Sequence, residues 1–177
     1  MQNKELTLAI FASDEGAGDS ERGEIMSQAG SFLAARGVSF VCLAQDGVLC
    51  VPFIISARSI GAKITIIADE EFLLPKKLKD IPLERFALAT DRYKRIGELS
   101  GAFIGLPGSL HSAKALFESY ILLEKKLPIL LLNKNKSFEF MRGFALDVMS
   151  HKIRNIDKHL QHADNVEDIW NRLSKMI

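Results

Sequence analysis

Short apolar runs rich in β-branched residues alternate in this chain with longer amphipathic stretches, and that rhythm restricts the fold more than any other feature of the sequence. A strand inside a parallel sheet is covered on both faces, so it reads as continuous apolar residues. The next parallel strand follows only after a crossover, usually a helix. The runs at 6–12, 38–43, 63–68, 85–89, 101–106 and 128–132 read as strands in this sense, with a weaker one near 159–162. Helices are expected over 21–36, from 49 or 50 to 59, and over 91–99, 110–126, 138–149 and 166–176. The first has Asp19 or Ser20 as its cap and Gly37 as its stop. Pro52 fits the first turn of the second, where a missing N–H costs nothing, and Gly61 ends it. Residues 72–84, with Pro75, Pro82 and a cluster of lysines, hold neither period and are expected to form a surface excursion, or a lid, between two halves of the sheet. The expected fold class is therefore α/β, a Rossmann-like parallel sheet with helices on both faces, with residues 1–177 as one domain.

Composition narrows the partners. With 47% hydrophobic residues the chain can bury a sizeable core, and 23 basic against 22 acidic residues leave no overall field that points to nucleic acid, an anionic membrane or an acidic protein. Cys42 and Cys50 lack CxxC spacing and a second pair, so they read as reduced thiols of a cytoplasmic protein rather than a zinc site. His159 and His162 stand three apart without a visible third ligand, and no metal or cofactor is expected. Residues 1–5 are polar and show no signal-peptide order, and no apolar run reaches the roughly 18 residues of a membrane span.

In a parallel sheet, ligands bind beyond the carboxyl ends of the strands. Three turns qualify. The first begins at Ser13 and continues through Asp14, Glu15, Gly16 and Gly18; its glycines allow close backbone approach, while its two carboxylates repel a bare phosphate. The second holds Gln45, Asp46 and Gly47. The third is Pro107, Gly108, Ser109, Leu110, His111 and Ser112, where a strand feeds a helix whose free N–H groups and dipole favour an anion. Ser109 and Ser112 are either donors to a phosphate or caps of the helix, and His111 is either an imidazole facing phosphate or a neutral loop residue.

The run from Leu99 to Gly108, followed by Leu116, Phe117 and Glu118, resembles the Lonely Guy family, also described as lysine decarboxylase-like, whose members are cytokinin riboside 5'-monophosphate phosphoribohydrolases. The family hallmark is PGGxGTxxE, and the resemblance implies a phosphate-binding edge at Pro107, Gly108, Ser109, His111 and Ser112, with Ser13 and Gly47 beside it. Ser109 and His111 stand where the family has its second and third glycines, Ser112 where it has Thr, and Ala115 where it has the Glu that assists cleavage of the N-glycosidic bond. The Gly-rich turn after the second strand keeps only Gly47. Arg92 matches the family arginine that reaches the nucleotide, with Tyr93 where a lysine would follow; alternatively Arg92 belongs to a solvated cationic run with Lys94 and Arg95. The segments Arg95 to Ser100 and Gly108 to Ala113 also resemble the Rossmann domain of the DNA-processing protein A (Smf) family, which binds single-stranded DNA. The basic residues here are scattered and aromatic residues sparse, which ranks that reading below nucleotide binding.

The resemblance implies a protein that binds a nucleotide or other phosphorylated small molecule, with a degenerate active site and no phosphoribohydrolase activity. The alternative is hydrolysis of a nucleoside monophosphate by a rearranged site using Glu118, Asp46 or Asp14, with Arg92 as its cation. The resemblance also implies a homodimer, with the Arg92 helix and the helix from Leu110 near the interface; Leu116, Phe117, Tyr120, Ile121 and Leu123 occupy more than one face of the latter.

Overall fold

The computed structural model describes residues 6–14, 20–124, 126–151 and 155–177. Every segment expected to be a strand pairs into one all-parallel sheet: β1 (Thr7–Phe11), β2 (Ser39–Ala44), β3 (Ile64–Asp69), β4 (Leu83–Phe86), β5 (Ala102–Gly105), β6 (Ile129–Leu132) and β7 (Leu160–Ala163). The order across the sheet is β4-β3-β2-β1-β5-β6-β7. Side chains alternate between two cores: Leu8 and Ile10 of β1 point to one, Ala9 and Phe11 to the other. The first core is closed by α1 (Ser20–Ala34), α2 (Val51–Ser59) and α7 (Val166–Leu173), the second by α3 (Ala89–Leu99) and α4 (Leu110–Leu122). β6 shows why its sequence is an unbroken apolar run: Leu130 and Leu132 enter the first core, Ile129 and Leu131 the second.

Local chemistry sets the boundaries. Gly37 follows α1 with φ +72°, a left-handed conformation that other residues adopt only at a cost, and Pro52 sits in the first turn of α2. Ser20 is the first helical residue of α1, whereas Asp19, Glu15, Gly16 and Gly18 lie outside the described residues. α4 is shorter than its sequence suggested, because the Lys126 ammonium donates to the carbonyls of Tyr120 (3.1 Å) and Leu123 (2.8 Å) and so takes over acceptors at the helix end.

The largest displacement concerns β4, which begins two residues before the expected start and consumes the end of the supposed excursion. It is an edge strand, paired only with β3, so nothing demands a continuous apolar run. Its charged residues are used at that edge: Glu84 pairs with Arg95, and the Arg85 guanidinium donates to the carbonyls of Asp69, Glu70 and Phe72 at 2.8–3.0 Å, closing the turn that leaves β3. Between β6 and β7 come α5 (Glu139–Ser150) and a short helix, α6 (Ile156–His159), that the sequence did not announce. The chain proceeds from β1 outward to β4, then returns to place β5 on the other side of β1. The strand order reverses there, so successive turns diverge and a crevice opens between the carboxyl ends of β1 and β5.

Candidate functional site

The floor of that crevice is the contact between the β1 and β5 turns. The Leu106 N–H donates to the Phe11 carbonyl at 3.0 Å, and Gly108 is pressed so closely on the β1 turn that a Cβ there would stand 2.6 Å from the Ser13 nitrogen and 2.7 Å from Ser112 Oγ. Ser13 is fully buried beneath it. Gly108 is thus required for space, and the residue type that the phosphate motif shares is here also a packing necessity.

Ser109 and Ser112 form a reciprocal capping box at the start of α4. Ser109 Oγ accepts from the Ser112 N–H and Ser112 Oγ accepts from the Ser109 N–H, both at 3.1 Å. Their hydroxyl hydrogens are used as well: Ser109 donates to the Gly47 carbonyl at 2.5 Å, and Ser112 to the Ser109 carbonyl at 2.8 Å. What the helix start still offers an anion is the backbone, since the first N–H groups of a helix have no acceptor within it. Gly47 belongs to a tight turn closed by Gln45 and Val48, with φ +68°. A Cβ on it would lie 2.6–2.9 Å from the His111 side chain, so imidazole fills the space that a Gly-rich turn would leave for phosphate.

The crevice, about 360 Å³, is lined on one side by Pro107, Gly108 and Ser109. The facing residues were not singled out from sequence: Arg22 on α1, and Lys134, Asn135 and Ser137 in the turn after β6. Lys134 reaches across to Glu21 of α1 at 3.1 Å. Asn133 holds this turn, accepting from the Phe138 N–H and donating to the Glu139 carboxylate, each at 2.9 Å. Ile25, Leu110, Ala113, Phe138 and Met141 give the same crevice an apolar wall.

Arg92 lies elsewhere. It is buried, with 5% of its surface exposed, and lines a second cleft of about 390 Å³ with Gln45, Asp46, Asp69, Glu71 and Phe72. Its guanidinium meets Asp69 at 2.7 Å, the carbonyls of Phe86 (2.7 Å) and Ala87 (3.1 Å), and Gln45 Oε1 at 3.0 Å. Tyr93, also buried, accepts from Gln45 Nε2 at 3.1 Å and completes the network. Arg92 therefore fastens the ends of β2, β3 and β4 together, and the solvated cationic run is not its setting.

The carboxylates considered for a rearranged hydrolytic site do not converge. Asp46 lines the Arg92 cleft, and Glu118 is on the outer face of α4 with Lys114 at 3.7 Å. Asp14 lies over the start of α2 near Lys77, and its partial burial raises its carboxyl above the usual range despite the Val51 N–H. Ala115, at the place of the family glutamate, is fully buried in the second core. The Cys50 thiol is pushed well up by its hydrogen bond with Cys42 and then by burial, which disfavours the thiolate. Among the described residues no group of three or more His, Cys, Asp and Glu could hold a metal ion, and no helix is long and apolar enough to cross a membrane.

No family model matches the sequence, and no curated protein matches it either. Solved structures do share the fold. The molybdenum cofactor carrier protein of Chlamydomonas reinhardtii superposes with a TM-score of 0.69 over 98% of each chain at 11% identity. The molybdenum cofactor binding protein of the phototrophic bacterium Rippkaea orientalis gives 0.67 at 12% identity, again over 98% of each chain. DNA processing protein A of Helicobacter pylori gives 0.58 at 16% identity, over 96% of this chain and 80% of that one. At these identities the likeness is one of fold: a parallel sheet of Rossmann type with helices on both faces.

Proposed function

We propose that this protein binds a phosphorylated small molecule, a nucleotide or a phosphate-bearing cofactor, in the crevice between β1 and β5, and that it carries or senses this ligand without cleaving it. The observation that carries the reading is the meeting of the α4 start and Ser109 with Arg22 and Lys134 around one crevice at the strand-order reversal. The scattered positions of Asp14, Asp46 and Glu118 favour binding over hydrolysis, because a general base and an acid must reach the same bond. Two of the proteins that share the fold are named for binding or carrying the molybdenum cofactor, which makes that cofactor a candidate beside nucleotides. Homodimerisation through α3 and α4 is part of the proposal, supported by Leu88 and Ile121, exposed at 62% and 63%.

A thermal-shift titration with inorganic phosphate, ribose 5-phosphate, AMP and the molybdenum cofactor tests the reading. A ligand at about 100 times its Kd adds about 2.7 kcal/mol to the folded state and raises the melting temperature accordingly. Lys134→Ala is expected to weaken binding about tenfold, the worth of one charge-assisted contact, while costing little stability because Lys134 and Glu21 are both exposed. Absence of a shift with every one of these ligands would overturn the proposal.

A further inference from the structure

We infer that the ligand of the β1–β5 crevice is a phosphate ester that carries a flat ring, and that the ring rests on an apolar wall made by α1, α4 and the start of α5; the inference rests on the phosphate reading above. The two sides of the crevice differ in chemistry. Arg22, Lys134, Asn135, Ser137 and Ser109 are its polar side, whereas Ile25, Ala113, Phe138 and Met141 present hydrocarbon, thioether and aromatic surface. Among the described residues Glu21 is the one carboxylate on the lining, and Lys134 engages it at 3.1 Å.

That division selects among phosphate esters. A sugar phosphate whose ring lay against Phe138 and Met141 would give up hydrogen bonds to water on that face, where the side chains offer no acceptor. An aromatic ring loses nothing polar there, and it gains from the thioether and from ring contact. The two demands are coupled through one short turn. Lys134 and Phe138 are both presented by the segment that Asn133 pins through its bonds to the Phe138 N–H and Glu139. Asn135 and Lys136 in that segment hold φ +56° and +58°, a left-handed conformation that Asn tolerates and that costs Lys136 about 1 kcal/mol or more. The turn therefore holds the backbone of Lys134 and Phe138 in one arrangement, so that a cation and a ring wall are presented together, as a ligand with a phosphate at one end and a ring at the other requires.

Calorimetric titration of the unmodified full chain with inorganic phosphate, ribose 5-phosphate and phenyl phosphate separates the possibilities. Phenyl phosphate is expected to bind about tenfold tighter than either of the others, the increment of one buried ring after ordering costs. Leu110→Ser changes an apolar residue of the wall that is 75% exposed and so leaves the core intact; it is expected to weaken phenyl phosphate about threefold and inorganic phosphate not at all. Ribose 5-phosphate binding as tightly as phenyl phosphate, or an equal loss of phenyl phosphate and inorganic phosphate in Leu110→Ser, overturns the ring inference and leaves the phosphate reading standing. Binding of none of the three overturns both.

Discussion

Two clefts of nearly equal size, about 360 and 390 Å³, open on the same edge of the sheet, and they differ in how deeply their cations are buried. In the Arg92 cleft the guanidinium is buried and engaged by Asp69, Gln45 and two backbone carbonyls, so Asp46 and Glu71 set the sign of what remains. In the β1–β5 crevice, Arg22 and Lys134 are partly exposed, Lys134 meets Glu21 at 3.1 Å, and both stand beside the start of a helix whose first N–H groups have no acceptor within it. Volume does not distinguish the two clefts. An arginine buried against a close carboxylate draws an incoming anion far less than partly exposed cations do, so the Arg92 cleft is a structural clasp and the contrast supports the proposal of an anion in the crevice.

Arg92→Ala is the strongest way to break this comparison. It would leave the Phe86 and Ala87 carbonyls and Asp69 without their donor, and the expected loss is about 2–4 kcal/mol of folding stability in a urea titration. Phosphate affinity of the fraction that remains folded should be unchanged. A protein that kept its stability and lost phosphate binding would reverse the roles of the two clefts.

Gly108→Ala acts on the crevice instead. The added Cβ would meet the Ser13 nitrogen at 2.6 Å, and since that atom is backbone it cannot swing aside as a side-chain end would. The β5 turn must then lift from the β1 turn, at a cost of about 2 kcal/mol. Unlike Arg92→Ala, this change is expected to weaken phosphate binding as well, read by calorimetry on the folded protein, because the lifted turn carries Ser109 and the start of α4.

The sequence made some of this legible and concealed the rest for a physical reason. Buried strands must be apolar and helices must be punctuated, so β1, β2, β3, β5 and β6 stood out, as did the Pro107 to Ser109 turn. β4 was misplaced because an edge strand tolerates Glu84 and Arg85. Lys134 and Arg22 were overlooked because nothing in a one-dimensional reading says that β6 lies beyond β5 on the far side of β1, and only that order brings the turn after β6 to face α1. The weight given to Arg92 had the opposite cause. This residue matches the family arginine that reaches the nucleotide, and Lys94 and Arg95 beside it suggest a solvated run as the alternative, while the groups that bury it, Asp69 and the end of β4, come earlier in the chain.

The smallest effect sharpens the contrast within α3 itself. Arg95, one turn beyond Arg92, makes a two-pronged pair with Glu84 at 2.7 and 2.9 Å, but both side chains are 35% exposed. Solvent screening limits such a pair to about 0.5–1 kcal/mol. The hydrogen bond from Arg95 holds the Glu84 carboxyl below its ordinary value near 4.5, so on acidification the unfolded chain takes up this proton first. The pair's contribution is therefore full above that ordinary value and is lost as the pH falls through the lowered one. Glu84→Gln should match the unmodified protein in acid and fall short of it at neutral pH, by the small amount above, in parallel urea titrations. Arg92→Ala should remain destabilised at both, since the carbonyls of Phe86 and Ala87 do not titrate. Two arginines on one helix, each paired with a carboxylate, would then be told apart by whether acid erases the deficit: it does where the partner is only a surface charge, and it does not where the arginine also completes buried backbone hydrogen bonds.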